Sequence, residues 1–494
     1  MIKNYIKIAL RNLNKNKNYA FINISGLAVG MACCILIALY SQSELSFDTF
    51  HKKADRIVVV GSDGDFFGKM LSTPYPLADA LVDEIPSVEK SVRVSDMGKL
   101  NLSTNGQDFV KINHGTYTED SFFDIFSFDL IRGDSSQVLS APNSIVLTPE
   151  ASHQLFGDEN PLGKSLYWQK RDTTKMLQVT GIVQDAPRNS SIEFGALVSL
   201  NTMDKNRRQP DSWHSYFIHT YALLKSHNAI ALMPDRLKKL VKDHYKSHDK
   251  KQKAPSNSFF TTPITQFHLS DISNDSGFTG NRAYLYLFGS VALFILIIAC
   301  VNYVNLATAR ISLRSQEVGV RKSLGALRSQ VAGQFLGESI FLSVTSFLLG
   351  IVISIGALPY FNQLFGTSLQ WQGHGMFLVE LFLAAIGVGI LAGLYPALYL
   401  SGFSPVTVLR NRMDVGGSGS WLRKTLVVSQ FAIALVLIIS ALVVYKQLNY
   451  TQKADLGFDG KQVAAINLPN NHAWKMRKNI RNQLINYAGV EAVS

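Results

Sequence analysis

The sequence predicts an integral membrane α-helical bundle of about five transmembrane helices, with a large mixed α/β extracytoplasmic domain between the first and second. Three observations carry this. Apolar runs long enough to cross a bilayer occur at 19–41, 284–309, 335–358, 376–400 and 425–446. Lys and Arg cluster beside alternate ends of those runs, whereas 359–375 contains no Lys, Arg, Asp or Glu, so the orientation is fixed by charge. Between the first two runs, 42–283 is ordinary polar sequence with short β-rich segments and helical patterns interleaved.

The composition narrows the function classes. Lys+Arg 48 against Asp+Glu 36 gives a formal charge of +12, but the excess lies beside apolar runs, so membrane lipid is the expected contact and no nucleic acid is. All three cysteines, Cys33, Cys34 and Cys300, lie within apolar runs, which excludes a disulfide scaffold and a cysteine-ligated metal in the polar domain.

Residues 1–18 carry Lys3, Lys7, Arg11, Lys15 and Lys17 with no acid, a cytoplasmic basic flank for an uncleaved signal anchor at 19–41. A cleaved signal peptide would have a shorter apolar region, and Gly30 stands where a lipoprotein signal at Cys33 would need a large aliphatic residue. Gly26, Gly30 and Cys34 form a small-residue stripe that lets another helix come close.

In the polar domain, Arg56–Val60, Asn143–Leu147 and Gln178–Val183 are expected strands, and Pro76–Glu84 and Pro149–Phe156 expected helices of a compact domain of two lobes. Gly157 to Ser165 nearly spells a phosphate-binding loop, but five residues separate its glycines and Pro161 removes an amide, so a turn is expected. His244 and His248 stand four apart on a helix whose lysines would repel a cation, so a solvated basic face is expected there and no metal. No Gly-x-Ser-x-Gly elbow occurs; the domain reads as a binding or transmission body, with no catalytic residues and no bound cofactor.

The second span carries Asn302 and Asn305, amides expected to bond across helices, and is followed by a basic loop at 310–334. Written as one helix, Arg314, Arg321 and Arg328 share a stripe, with Leu313, Val320 and Leu327 beside it. Glu317 is in pairing reach of Arg314 and Arg321, Gly319 and Gly325 interrupt the helix, and Glu338 at the start of the third span is in reach of Arg321, Lys322 or Arg328. The fourth span has Ala385, Gly389, Gly393 and Ala397 as a packing seam, and Glu380 as an intramembrane carboxylate that needs water or a partner. A cytoplasmic linker, 401–424, holds the Gly/Ser-rich stretch around 413–420, and 447–494 reads as the truncated start of a second extracytoplasmic domain.

Glu317-Val318-Gly319-Val320-Arg321-Lys322-Ser323-Leu324-Gly325-Ala326, followed by Gln334 to Ser339, resembles the loop after the second span in permeases of the MacB/FtsX type. Ser46 to His51 with Asp55-Arg56-Ile57, Gly393 to Ala397 and Ser404 to Arg410 resemble other parts of that family, and Trp421 to Tyr445 resembles the opening of a second copy in its duplicated members. The resemblance implies that 310–334 holds a coupling helix, with Arg314, Glu317, Val318, Gly319, Arg321, Lys322, Gly325, Ala326 and Arg328 gripped by a cytoplasmic ABC ATPase subunit. ATP and Mg would bind to that partner, since no complete Walker A motif occurs here. It implies transmission of movement to a periplasmic domain in the inner membrane, driving efflux or export of a hydrophobic, peptide or lipoprotein cargo. A second permease copy or homodimer, a periplasmic adaptor and an outer-membrane duct are the further implied partners. The rival readings are a transmembrane activator of a cell-wall hydrolase and a membrane-anchored sensor without transport.

Overall fold

The computed structural model describes residues 11, 17–64, 68–170, 173–248, 258–272, 280–309, 311–371, 375–402, 418–453, 463–464, 476–487 and 489–493. Most of the basic N-terminus, His248's side chain, Ser404 to Arg410, the centre of the Gly/Ser-rich linker and, within 447–494, residues 454–462 and 465–475 lie outside them. The chain divides into two compact units, Met1–Ser43 with Ala283–Gly460, and Glu44–Arg282 with Lys461–Ser494.

The first helix, α1 (Lys17–Leu45), leads to the polar unit, where all described strands join one sheet. Its main path runs β12 (Ser258–Pro263), β1 (Ile57–Gly64), β11 (Tyr216–Leu224), β4 (Val88–Ser103), β5 (Val110–Thr118), β10 (Ala196–Ser199), β7 (Ser144–Leu147), β9 (Thr173–Val183) and β6 (Leu130–Arg132). The expected strands are β1, β7 and β9, and the expected helices are α2 (Leu77–Glu84) and α3 (Pro149–Phe156). α3 starts where it should: the Thr148 side chain accepts the Ala151 N–H at 3.3 Å and Pro149 needs no partner for its nitrogen.

Two lobes share this sheet because β4 is long enough to serve both. Its first half pairs with β11 and its second with β5 and β8 (Ser165–Lys170), and the register breaks on either side of Gly98, where φ is +68°. One lobe packs Leu100, Leu102, Ile145, Leu166 and Trp168 into a common core; the other packs Val58, Val60, Leu77, Leu81 and Leu237, the last from α4 (Met233–His248). A third cluster, rich in aromatics, gathers Phe122, Phe126, Phe128, Phe194 and Tyr221.

The turn after α1 is anchored in this unit. Asp48, at φ +57°, is fully buried; its Oδ1 accepts the Ser191 N–H at 2.8 Å, while Oδ2 has no hydrogen-bond partner among the described residues. Burial pushes this carboxyl up to about 6 against the opposing Ser191 hydrogen bonds. Buried His51 accepts the Ser127 N–H on Nδ1 at 3.1 Å, and burial lowers its pKa to about 4.

Gly157 to Ser165 is the turn between α3 and β8, with positive φ at Gly157 and Gly163 and Lys164 paired to Glu159. His244 departs from the expected solvated face. Its ring stacks on Trp213 with centroids 4.4 Å apart, and Nε2 lies 2.5 Å from Glu84 Oε1, because α4 covers α2 and the Trp213 loop.

In the other unit, α5 (Arg282–Ala309) is followed by the short α6 (Ile311–Ser323), then α7 (Arg328–Phe365), α8 (Gly375–Ser401) and α9 (Ser418–Lys453). The polar unit's last described helix is α10 (Arg477–Leu484). By length and composition α1, α5, α7, α8 and α9 are able to cross a membrane. α7 extends past both expected ends of its span. Helix replaces the last part of the expected inner loop, and Pro359 and Tyr360, expected in the outer loop, are helical until Gly366 closes the helix at φ +63°.

Glycines let the bundle close. A Cβ on Gly389 would stand 2.8 Å from Ile340 Cα, and one on Gly393 2.5 Å from Ser339 Oγ, so α8 lies directly on α7 along the seam that also buries Ala385 and Ala397. The Gly26–Gly30 stripe meets this chain's own α5: a Cβ on Gly30 would be 3.1 Å from Ala299 Cβ and one on Gly26 3.5 Å from Asn302 Nδ2. Cys34 Sγ donates to the Ala292 carbonyl at 3.4 Å on the same face. In contrast, none of the apolar window of α9 is buried against the described residues.

Candidate functional site

α6 is a helix because nothing in Ile311–Ser323 breaks it, and Gly319 lies buried within it rather than interrupting it. Gly325 is the residue that stops the chain. At φ +95° it allows the Gly325 N–H to reach the Lys322 carbonyl at 3.1 Å and the Ala326 N–H the Arg321 carbonyl, also at 3.1 Å. α7 then starts at Arg328, with Gln330 Oε1 accepting the Leu327 N–H at 3.1 Å. Arg314, Arg321 and Arg328 therefore do not share one helix stripe: the turn at Gly325 puts Arg328 on the next helix, and Leu327 with it at the cap.

Most of the charged side chains are taken up internally. Arg314 makes a two-pronged pair with Glu338, Nη1 to Oε2 at 2.8 Å and Nη2 to Oε1 at 2.6 Å, with its guanidinium 5.5 Å from the Phe335 ring centroid. Both side chains are largely buried, at 18% and 7% exposure. Burial alone would lower the Arg314 pKa, but the Glu338 contact outweighs it and holds it above its ordinary value. Glu338 thus pairs with Arg314, not with Arg321, Lys322 or Arg328. Glu317 holds Arg321 alone, at 2.6 Å one turn away, and Arg321 also donates to Gln334 on α7. Lys322 Nζ donates to the Ser401 carbonyl at 2.6 Å, the last carbonyl of α8.

Beneath these ties lies a separate small core: Val318 from α6, Val331 and Phe335 from α7, and Ala397 and Leu400 from α8, with Ala326 packed against it. It is distinct from the bundle core of Leu27, Met31, Ala299, Tyr303, Leu342 and Val388. Outward on α6 and its turn, among the described side chains, stand Val320, Leu324 and Leu327, 50%, 83% and 63% exposed, interspersed with the exposed polar residues Gln316, Glu317, Ser323 and Arg328.

Of the other candidates, Asn305 Oδ1 is buried without a hydrogen bond among the described residues, so the expected cross-helix amide bond is not made there. Tyr303 makes it instead, its hydroxyl 2.6 Å from Ser339 Oγ, because Tyr303 faces the bundle core. Glu380 is exposed in the first turns of α8.

Residues 20–240 match the family model of the MacB-like periplasmic core domain, and residues 289–405 that of the FtsX-like permease C-terminal region. The chain belongs to the MacB/FtsX type of ABC transporter permease. This permease is 22% identical over 424 residues to the macrolide export ATP-binding/permease protein MacB of Campylobacter jejuni, covering 82% of this chain and 60% of that protein. It is 21% identical to YvrN, an uncharacterized ABC transporter permease of Bacillus subtilis, covering 82% of this chain and 99% of that one. The permease thus spans 60% of the length of its Campylobacter relative. Among solved structures, the periplasmic region of MacB from Actinobacillus actinomycetemcomitans aligns with 44% of the permease and 91% of that chain, at 16% identity and a TM-score of 0.31.

Sequence reasoning missed Tyr303 and Ser401 as parts of the loop-helix site, and had Gln334, Phe335 and Ser339 only within the motif that resembles the family's loop, with no role for any of them. The buried run Ser339, Ser343, Ser346, Gly350 and Ser354, small residues at helical spacing along α7, was the available signal that this helix is approached closely.

Proposed function

We propose that the chain couples ATP hydrolysis by a cytoplasmic ATPase to movement of its periplasmic domain, and that the ATPase grips the outward face of α6. The observation that carries this reading is the exposed triplet of Val320 on α6, Leu324 in the turn after it and Leu327 at the cap of α7, on a loop whose short helix is held by its other face. Three large apolar side chains at a loop tip cost solvation unless a partner covers them, and an ion-paired rim at Glu317–Arg321 would orient that partner. The loop helix lies on the cytoplasmic side in this reading, in keeping with the basic 310–334 loop and the uncharged 359–375 loop.

Movement of the outer domain, with a hydrophobic, peptide or lipoprotein cargo, is the output we assign. The relatives include a macrolide export protein, and no span other than α7 carries a buried charged side chain among the described residues, in keeping with a bundle that transmits movement and offers no hydrophilic channel. The ATPase sits at 310–334 in this scheme, and ATP and Mg belong to it.

The test is purification of the full chain in mild detergent from its native membrane. An ATPase subunit is expected with the wild type and lost in Leu324→Asp, while Glu380→Gln keeps it. No ATPase with the wild type, or an undiminished one with Leu324→Asp, would reject the reading. Unchanged efflux with defective cell separation in a deletion strain would replace the output with hydrolase activation.

A further inference from the structure

A helix that only offered a surface would need no anchoring deeper than its apolar side. α6 has more. It is tied to α7 by Arg314–Glu338 and Arg321–Gln334, to α8 by Lys322–Ser401, and to both by the core of Val318, Phe335 and Leu400. Among these the Arg314–Glu338 pair reaches furthest toward the bundle. Glu338 stands next to Ser339, whose hydroxyl meets Tyr303 on α5 and whose Cβ faces Gly393 on α8. One turn of α7 therefore receives the loop helix, the second span and the fourth at once.

We propose that Arg314 and Glu338 are the positioning residues that make α6, the start of α7 and the end of α8 one rigid block, with the pair as its joint to the bundle. Two parallel hydrogen bonds fix the guanidinium in plane and distance, which an apolar contact does not, so α6 is denied rotation about its own axis. A push on Val320, Leu324 and Leu327 then displaces the third span at the Tyr303–Ser339–Gly393 contact, where no slack remains because a methyl group on Gly393 would already collide. The transmission step rests on the ATPase reading above, whereas the joint itself does not.

The experiment separates the two. Spin labels carried on unnatural amino acids at Ser323 in α6 and Leu364 in α7, in the full chain in lipid nanodiscs, report one narrow distance in the wild type. Glu338→Gln is expected to broaden it, and so is Arg314→Gln/Glu338→Gln, which leaves no orphan charge and so folds even if the single variant does not. The exchange Arg314→Glu/Glu338→Arg is expected to narrow it again, a rescue that a purely steric role would not show. Wild-type width in both Gln variants, or no recovery on exchange, overturns the joint. In a second arm the Gln variants keep the co-purifying ATPase but lose its ATP-driven displacement of the outer domain by about tenfold. Undiminished displacement would overturn the transmission role, and a wild type without ATPase would sink the coupling reading while leaving the first arm's result intact.

Discussion

Glu338 in the loop-helix block and Asp48 in the polar unit are both carboxylates removed from water, at 6% and 0% exposure, and the molecule deals with them in opposite ways. Glu338 has a guanidinium across two short hydrogen bonds, so the cost of taking the charge out of water is offset by a partner. Asp48 has one backbone N–H and an oxygen with no partner, and burial raises its pKa to about 6. A buried carboxylate therefore marks a mechanical tie where a guanidinium bonds both its oxygens, and a pH-dependent weak point where, as at Asp48, the charge of His268 and the Ser191 hydrogen bonds do not outweigh burial. Arg93 in the polar unit follows the first pattern, flanked by Asp79 and Glu119 at 4% exposure.

The comparison breaks most visibly at Glu338. Glu338→Ala leaves Arg314 buried and unpaired and is expected to cost about 3–5 kcal/mol, read as a fall in melting temperature of the detergent-solubilised chain. A loss under about 1 kcal/mol would mean that Arg314 finds water instead.

Next comes Asp48. Its folded pKa of about 6 lies above the ordinary carboxylate range, so its contribution is complete at acid pH and is lost as pH rises through about 6. That loss is roughly 3 kcal/mol between about pH 4 and pH 6. Asp48→Asn keeps the Ser191 contact and tolerates φ +57°, and should remove this pH dependence from melting curves. His51 works the other way. Its lowered pKa of about 4 means stability is lost as pH falls from the ordinary imidazole range through about 4, a slope that should survive in the Asp48→Asn variant.

Between these and the surface stands the α7–α8 seam, where apolar fit does the work that charge does at Glu338. Gly389→Val would push into the Ile340 backbone and is expected to cost about 1–3 kcal/mol, with Gly387→Val, which meets open space, as the unaffected control in the same assay. The smallest effect belongs to Glu317→Ala. Its pair with Arg321 is half exposed at 48% and 32%, so about 0.3–0.5 kcal/mol is expected, and added salt should erase it.

Period and composition were enough for the helices and for much of the sheet. A long run of apolar residues is a local signal whether or not the fold buries it, which is why α1, α5, α7, α8 and α9 were legible, as were strands β1, β7 and β9. The small-residue seam at Ala385, Gly389, Gly393 and Ala397 was legible too, since a glycine repeat in an apolar helix has few other uses. The candidate site was legible in place but not in detail. The arginines read as a stripe for a partner; in the fold Arg314 and Lys322 face inward and Val318 is core, leaving Val320, Leu324 and Leu327 outside.

By itself the amino-acid sequence determined which segments are helical and apolar enough to cross a membrane, where the polar domain is inserted, and that 310–334 is a patterned basic segment, because hydropathy, charge and helical period are local properties. Only the tertiary structure decided which arginine meets Glu338, that one sheet serves both lobes, and that no residue in the apolar window of α9 is buried against the other described residues. Those outcomes depend on helix crossings and strand order across long separations in sequence. There, several cations stand within nominal reach of one carboxylate, and the turn at Gly325 settles the choice.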